Sequence, residues 1–195
     1  MGHLLDQVEK DTDLRALVIT GAGDTAFVAG GDLKDFRSLD SFQAGRRMSL
    51  YMQGILNRFE ELGQPVIAAI NGYSIGSGLE LALCCDIRIA AENAVFMMTE
   101  AQLGRVPAQG ATQRLPRQVP FAMALEILLT GDGINAREAY RIGLVNRVVP
   151  LSELMPTAEA FASRLNQNGP LALRAIKEAV YRAMDMPLAD GIRFE

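Results

Sequence analysis

The sequence predicts an α/β protein, because short apolar segments of strand character alternate with segments of helical period along all 195 residues. The segment VIAAI at residues 66–70 is wholly apolar, which is typical of a strand covered on both faces of a sheet. Residues 41–62 instead alternate apolar and polar side chains with a helical period. The length is typical of one domain, or of one domain with a small appendage.

The first half of the chain is predicted to hold most of the strands. Helices are expected at residues 3–9, 41–62 and 79–85, and strands at residues 15–20, 66–70, 87–90 and 94–97. Residues 71–78 are mostly small and are expected to form a turn. Six large side chains share one face of the helix at 41–62 and are expected to pack into the core: Met48, Tyr51, Met52, Ile55, Leu56 and Phe59.

The second half is predicted to be mainly helical. Helical segments are expected from residue 107 through residue 115, at 122–130 and at 136–140. A short strand is expected within 143–150, followed by helices at 154–166 and 171–184. We divide the chain into a core domain at residues 1–150 and a C-terminal helical segment at residues 151–195.

The composition argues against several classes of function. The formal net charge of −4 is unfavourable for a surface built to bind nucleic acid or an anionic membrane. The two cysteines are adjacent and the single histidine is His3, so neither a zinc cluster nor a Ser-His-Asp triad is expected, and no metal site is predicted. The chain has no apolar run of the roughly 18 residues that a membrane helix needs and no signal-peptide pattern at its start. The expected location is therefore the cytoplasm.

Two glycine-rich turns follow apolar strand-like segments. The first is Ala29-Gly30-Gly31-Asp32 and the second is Gly76-Ser77-Gly78. Such turns leave backbone N–H groups free to point outward, and two of them converging on one point would form an oxyanion hole. The alternative is a pair of ordinary tight turns. Neither turn matches a dinucleotide-binding or a phosphate-loop motif.

Two carboxylates are candidate acid/base groups. Glu80 lies in the first turn of an otherwise apolar helix, and Glu100 follows an apolar stretch close to a glycine. Acids in apolar surroundings have raised pKa values and serve as general acids or bases. The structural alternatives are a helix-capping acid for Glu80 and a solvated loop acid for Glu100.

Three motifs in order carry a resemblance to a known family. They lie at residues 17–36 (LVITGAGDTAFVAGGDLKDF), at residues 65–96 around NGYSIGSGLELALCCD, and at residues 99–117 (TEAQLGRVPAQGATQRLPR). Later segments at 143–150 and 169–180 match further landmarks. The chain resembles the enoyl-CoA hydratase/isomerase family, the crotonases. The resemblance implies a spiral of ββα units, here without the N-terminal strands and C-terminal helices that family members usually carry.

The resemblance also implies roles for single residues. The backbone N–H groups of Gly31 and Ser77 would form the oxyanion hole for the thioester oxygen, and Glu80 and Glu100 would hold a water against the C2–C3 bond. We expect Glu80 to be the base that activates water and Glu100 to be the proton donor. The remaining implied residues would bind coenzyme A and substrate: Ala29, Gly30, Asp32, Leu33, Lys34 and Gly76.

The function expected from the resemblance is that of an enoyl-CoA hydratase, a hydro-lyase that needs no cofactor beyond the coenzyme A of its substrate. The alternatives are an isomerase or another acyl-CoA lyase of the same family, or a non-catalytic coenzyme A-binding subunit. An RNA-binding role is opposed by the negative net charge. A homotrimer, or a hexamer of two trimers, is the assembly that the resemblance implies, with the trimer-forming region beginning after residue 150.

Three positions depart from the family pattern. Ser77 stands where a glycine is frequent and would be strained if the site required a positive φ. Residues 97–99 (Met-Met-Thr) replace a G-x-P sequence before Glu100, which is expected to alter the approach of that acid. Gln109 stands in a segment usually made of glycine and alanine. We expect its side chain either to narrow the acyl pocket or to offer an amide to a polar acyl group.

Overall fold

The computed structural model describes residues 1–32 and 40–195. In this part of the chain the helices are α1 (Gly2–Val8), α2 (Phe42–Glu61), α3 (Ser77–Leu83), α4 (Ala111–Gln118), α5 (Phe121–Thr130), α6 (Ala136–Arg141), α7 (Leu151–Asn166), α8 (Pro170–Ala183) and α9 (Leu188–Phe194). The strands are β1 (Leu17–Thr20), β2 (Ala26–Val28), β3 (Val66–Ile70), β4 (Tyr73–Ile75), β5 (Ile87–Ala91), β6 (Val95–Met97), β7 (Ile134–Asn135) and β8 (Arg147–Val149). None of the helices in these ranges combines the length and the apolarity that crossing a bilayer requires.

The strands of the described residues form two sheets of four. The first has the order β1-β3-β5-β8 and is parallel throughout, and the second has the order β2-β4-β6-β7 with only β7 antiparallel. Each successive strand pair (β1 and β2, β3 and β4, β5 and β6) therefore gives one strand to each sheet before the chain turns to helix. This alternation confirms the α/β class and the expected ββα repeat.

Strand β3 lies at the centre of the fold, and all five of its residues are buried. Its alternate side chains enter two different clusters. Val66, Ala68 and Ile70 join the main core, and the other two pack with Leu154 and Ala158 of α7. A strand that is buried on both faces needs apolar residues at every position, which explains the run VIAAI. Helix α7 covers the outer face of the first sheet.

Helix α2 divides its apolar stripe between the core and a cavity. Ile55, Leu56 and Phe59 are buried, as the helical period predicts, and Met52 packs partly against them. Tyr51, however, is 67% exposed, and Met48 lines a cavity. The expectation that the whole stripe packs into the core was therefore wrong for these two side chains, because only the C-terminal half of α2 lies over the core.

Three short elements differ from the sequence-based expectation. The segment at 71–78 was expected to be a turn but contains β4, and neither β7 nor α9 was predicted. Strand β4 has three residues and exists because it pairs with β2 on one side and β6 on the other. Pairing between segments that are distant in sequence leaves no periodic signal in three residues.

Arg88, on β5, holds the C-terminal end of α3. Its side chain is buried and donates hydrogen bonds to the carbonyl oxygens of Ala82 (3.3 Å), Cys85 (2.7 Å) and Leu144 (2.6 Å). The last carbonyls of a helix lack partners within the helix, and a guanidinium supplies donors to several of them at once. This contact fixes α3, whose other end carries Ser77 and Glu80.

Candidate active site

The two glycine-rich turns lie against each other. A Cβ atom built on Gly78 would overlap the carbonyl oxygen of Val28, the last residue of β2, and a Cβ on Gly30 would lie 3.4 Å from the carbonyl oxygen of Ile75. Helix α3 therefore packs backbone to backbone on β2, which only glycine permits at residue 78. The packing brings the segment that contains Gly31 beside the first residue of α3.

Gly31 and Ser77 both line a cavity of about 710 Å³. Ser77 is the first helical residue of α3, so its N–H is one of the donors that an α-helix leaves without an internal partner. The positive φ at this turn belongs to Gly76 (φ 53°), and every positive φ among the described residues is at a glycine. Ser77 in place of glycine therefore carries no backbone strain.

Glu80 is buried, with 2% of its surface exposed. Its Oε1 accepts hydrogen bonds from the backbone N–H groups of Gln109 (2.8 Å) and Ala111 (3.1 Å), at the start of α4. Burial raises the pKa of Glu80, the two N–H donors oppose this, and the charge of Glu100 adds to the increase. The carboxylate therefore binds the start of α4 and does not cap its own helix, which is the contact that the structural alternative expected.

Glu100 is half-buried and faces the same cavity. Its Oε2 is shielded from solvent and has no hydrogen-bond partner among the described residues. An ideal Cβ on Gly76 would lie 2.5 Å from its Oε1, so this carboxylate sits directly above a glycine. Burial raises the pKa of Glu100, against smaller opposing effects of its own backbone N–H and of Arg105. It is not the solvated loop acid of the alternative interpretation.

The structure brings most of the predicted site residues to this one cavity: Ala29, Gly30, Gly31, Gly76, Ser77, Glu80 and Glu100. Asp32 is exposed and does not belong to the lining of the cavity as the described residues form it. Leu33 and Lys34 lie outside the described residues. Within the described ranges, no group of three or more histidine, cysteine, aspartate or glutamate side chains could hold a metal ion.

Helix α2 supplies a wall of the cavity that the sequence analysis did not identify. Phe42, Arg46 and Ser49 line it, together with Met48. Their spacing of four and then three residues places Phe42, Arg46 and Ser49 on one helical face, which is the signal that predicts a shared wall. Phe42 is 81% exposed, so this apolar side chain does not pack into the core.

A larger cavity of about 1030 Å³ lies between α2, α4 and α8. Four of its charged side chains form ion pairs, Arg114 with Glu60 (2.7 Å) and Lys177 with Asp86 (2.8 Å). The smaller cavity instead holds two carboxylates with raised pKa values beside backbone donors of two turns. Perturbed acids beside such donors are the mark of a catalytic site, so the smaller cavity is the candidate.

The whole chain, residues 1–195, matches the family model described as enoyl-CoA hydratase/isomerase. A short-chain-enoyl-CoA hydratase of Clostridium acetobutylicum is 41% identical over 195 residues, which are 100% of this chain and 74% of that protein. A crotonyl-CoA hydratase of Syntrophomonas wolfei is 44% identical over 188 residues, 96% of this chain and 72% of that protein.

Among solved structures, that of an enoyl-CoA hydratase from Bacillus anthracis matches with a TM-score of 0.94 at 40% sequence identity. The match covers 98% of this chain and 74% of that chain. The similarity thus extends over almost all of the present sequence and over about three quarters of each of these relatives.

Proposed function

Because the chain belongs to the enoyl-CoA hydratase/isomerase family, we propose that it adds water across the C2–C3 double bond of a trans-2-enoyl-CoA. The observation that carries this proposal is that Glu80 and Glu100 line one cavity together with Gly31 and Ser77. Hydration needs a base for water and an acid for C2, and this cavity offers one carboxyl for each. Its volume of about 710 Å³ is within the range of small-molecule sites.

The thioester oxygen is bound by the N–H groups of Gly31 and Ser77. Attack of water at C3 gives the thioester enolate character, and donors aimed at the oxygen stabilise this charge. Removing one such donor typically costs about 3 to 4 kcal/mol of transition-state stabilisation. Both donors belong to the backbone, so their placement depends on the close packing of Gly78 on β2 rather than on any side chain.

The environments of the two acids support different roles. Oε1 of Glu80 accepts two N–H donors, which favours the ionised form, and Oε2 makes no hydrogen bond to a described residue and is available to a water. Oε2 of Glu100 has no donor, which favours the protonated form. Glu80 takes a proton from water as its oxygen bonds to C3, and Glu100 gives its proton to C2. Proton exchange with solvent then restores the ionised form of Glu80 and the protonated form of Glu100.

The alternatives are not favoured. An isomerase needs a single proton-shuttling group, whereas two carboxyls face this cavity, and both curated relatives above are named as hydratases. The chemistry calls for no cofactor besides the coenzyme A thioester of the substrate. A cytoplasmic location remains part of the proposal.

A homotrimer or a hexamer of two trimers is proposed for the assembly. Support comes from apolar side chains that α8 and α9 expose: Leu171, Ile176, Val180, Leu188 and Ile192. Unpaired apolar faces of this kind mark protein interfaces. Sedimentation equilibrium of the protein tests this, and a monomer at micromolar concentration would contradict it.

The direct test of the function is the loss of the conjugated-enoyl absorbance of crotonyl-CoA, measured beside Glu80→Gln and Glu100→Gln. Glutamine keeps the size of each side chain and an acceptor oxygen but cannot carry the proton. Each variant is expected to lose at least about a hundredfold in kcat. The product should be heavier than the substrate by one water.

The matched control for these variants is Glu92→Gln, an exposed carboxyl outside the cavity, which should keep its activity. An active protein in which either cavity variant stays within threefold of wild type would overturn the two-acid mechanism. A product of unchanged mass would indicate an isomerase instead.

A further inference from the structure

Gln109 is a buried polar residue of the cavity that the proposed mechanism leaves unused. It is 8% exposed and lines the cavity beside Glu80. Its Oε1 is shielded from water and has no hydrogen-bond donor among the described residues. A buried carbonyl oxygen without a donor is unfavourable, so a ligand that supplies the donor gains affinity.

The backbone around Gln109 is fixed on several sides. Its N–H donates to Oε1 of Glu80, and its carbonyl oxygen accepts from Nη1 of Arg114 at 3.1 Å. The preceding carbonyl, that of Ala108, accepts from Nε2 of Gln53 at 2.7 Å. These contacts fix the direction in which the side chain leaves the backbone, and the burial of the side chain keeps its amide in the wall of the cavity.

We propose that Gln109 is a specificity-determining residue whose amide binds a hydroxyl group on the acyl chain of the substrate, an inference that rests on the hydratase function above. A hydroxyl donates to Oε1 and accepts from the amide N–H, so it satisfies both ends of the side chain. A carboxylate offers no hydrogen to Oε1 and would approach the negative charge of Glu80. The preferred substrates are therefore hydroxylated enoyl-CoA thioesters.

The position of the hydroxyl follows from the two acids. Glu80 and Glu100 face the atoms at C3 and C2, which leaves C4 and the carbons beyond it for other contacts. Gln109 lies next to Glu80 in the wall, one hydrogen bond away from its carboxylate. The hydroxyl is thus expected at C4 or further along the chain.

The test compares trans-2-hexenoyl-CoA with its 4-, 5- and 6-hydroxy derivatives. For the wild-type protein, kcat/KM for the best hydroxy derivative is expected to exceed that for hexenoyl-CoA at least tenfold. In Gln109→Met, which preserves side-chain length and the backbone N–H, this ratio is expected to fall to about one. Gln113→Met, an exposed change on the helix α4 that follows Gln109, is the matched control and should keep the wild-type ratio.

The outcomes separate this inference from the proposed function. No hydration of crotonyl-CoA by the folded wild-type protein would overturn both. Hydration of crotonyl-CoA with equal kcat/KM for the plain and hydroxy substrates would overturn the inference alone. An unchanged ratio in Gln109→Met would do the same, and so would a preference for trans-2-hexenedioyl-CoA, whose terminal carboxylate tests recognition by charge.

Discussion

Gly76 lies between the turn of the proposed oxyanion hole and the carboxyl of Glu100, so the substitution Gly76→Ala tests the geometry of the site. The φ of 53° at Gly76 belongs to a region that side chains rarely adopt. The new Cβ would lie 2.5 Å from Oε1 of Glu100, whereas ordinary van der Waals contact begins near 3.4 Å. The carboxylate must therefore retreat by about 0.9 Å.

The displacement of the Glu100 carboxyl lowers the rate, whereas the strained backbone at residue 76 lowers the stability of the fold. A displacement of about 1 Å in a catalytic group costs on the order of a hundredfold in rate, so kcat is expected to fall by about that factor. The strained backbone costs roughly 1 to 3 kcal/mol of folding stability. At this chain length each kcal/mol lowers Tm by roughly 2 to 4 °C. KM is expected to change less, because most of the contacts with the thioester remain.

The assay is crotonyl-CoA hydration at several substrate concentrations, together with thermal unfolding. The control is Gly143→Ala, at a residue with φ of 79° and no atom within 4 Å of the added Cβ. It should show the loss of stability without the loss of kcat. A folded Gly76→Ala protein with kcat within threefold of wild type would refute the reasoning, because Glu100 would then tolerate the displacement.

Two further predictions follow from buried charged groups. Burial raises the pKa of Glu80, the proposed base, so protonation of Glu80 should make activity fall, as the pH is lowered, already above the ordinary glutamate pKa of 4.5. Burial also raises the pKa of Glu100, the proposed proton donor, whose loss of the proton should instead lower activity on the alkaline side. A pH profile of kcat/KM measures this acidic fall, whose midpoint belongs to the coupled pair of acids rather than to one of them. A midpoint at or below pH 4.5 would contradict the prediction. Arg88→Met leaves the carbonyls of Leu144 and Cys85 without their donor, so it should destabilise the protein by about 3 kcal/mol. Urea unfolding measures the change, and a loss under about 1 kcal/mol would show that those carbonyls find other partners.

The central strand and the long helix α2 could be predicted from sequence because their signals are local. Five consecutive apolar residues, Val66–Ile70, can be covered only on both faces. Ser41 accepts a hydrogen bond from the N–H of Ala44, as expected for an N-cap residue at the start of the 41–62 helix. Strand β4 could not be predicted, because its three residues become a strand only through pairing with distant segments.

For the site, the resemblance predicted the two acids and the two turns that line the cavity, but not the contacts that change the pKa values of the acids. The donors to Glu80 come from Gln109 and Ala111, which are 29 and 31 positions away along the chain. No spacing rule connects residues so far apart, so the environment that separates the two acids emerges only from the fold. The position of the positive φ at Gly76 rather than at Ser77 is likewise a property of the folded turn.

The hydrogen bonds that Oε1 of Glu80 accepts from the start of α4 link the catalytic proton to the stability of that helix. In the proposed mechanism, each turnover protonates Glu80 and removes the negative charge that faces the positive end of α4. The start of α4 is therefore bound more strongly before the proton moves than after it. Since the N–H of Gln109 is one of these donors, proton transfer from water to Glu80 would also change how firmly the acyl-facing wall of the cavity is held.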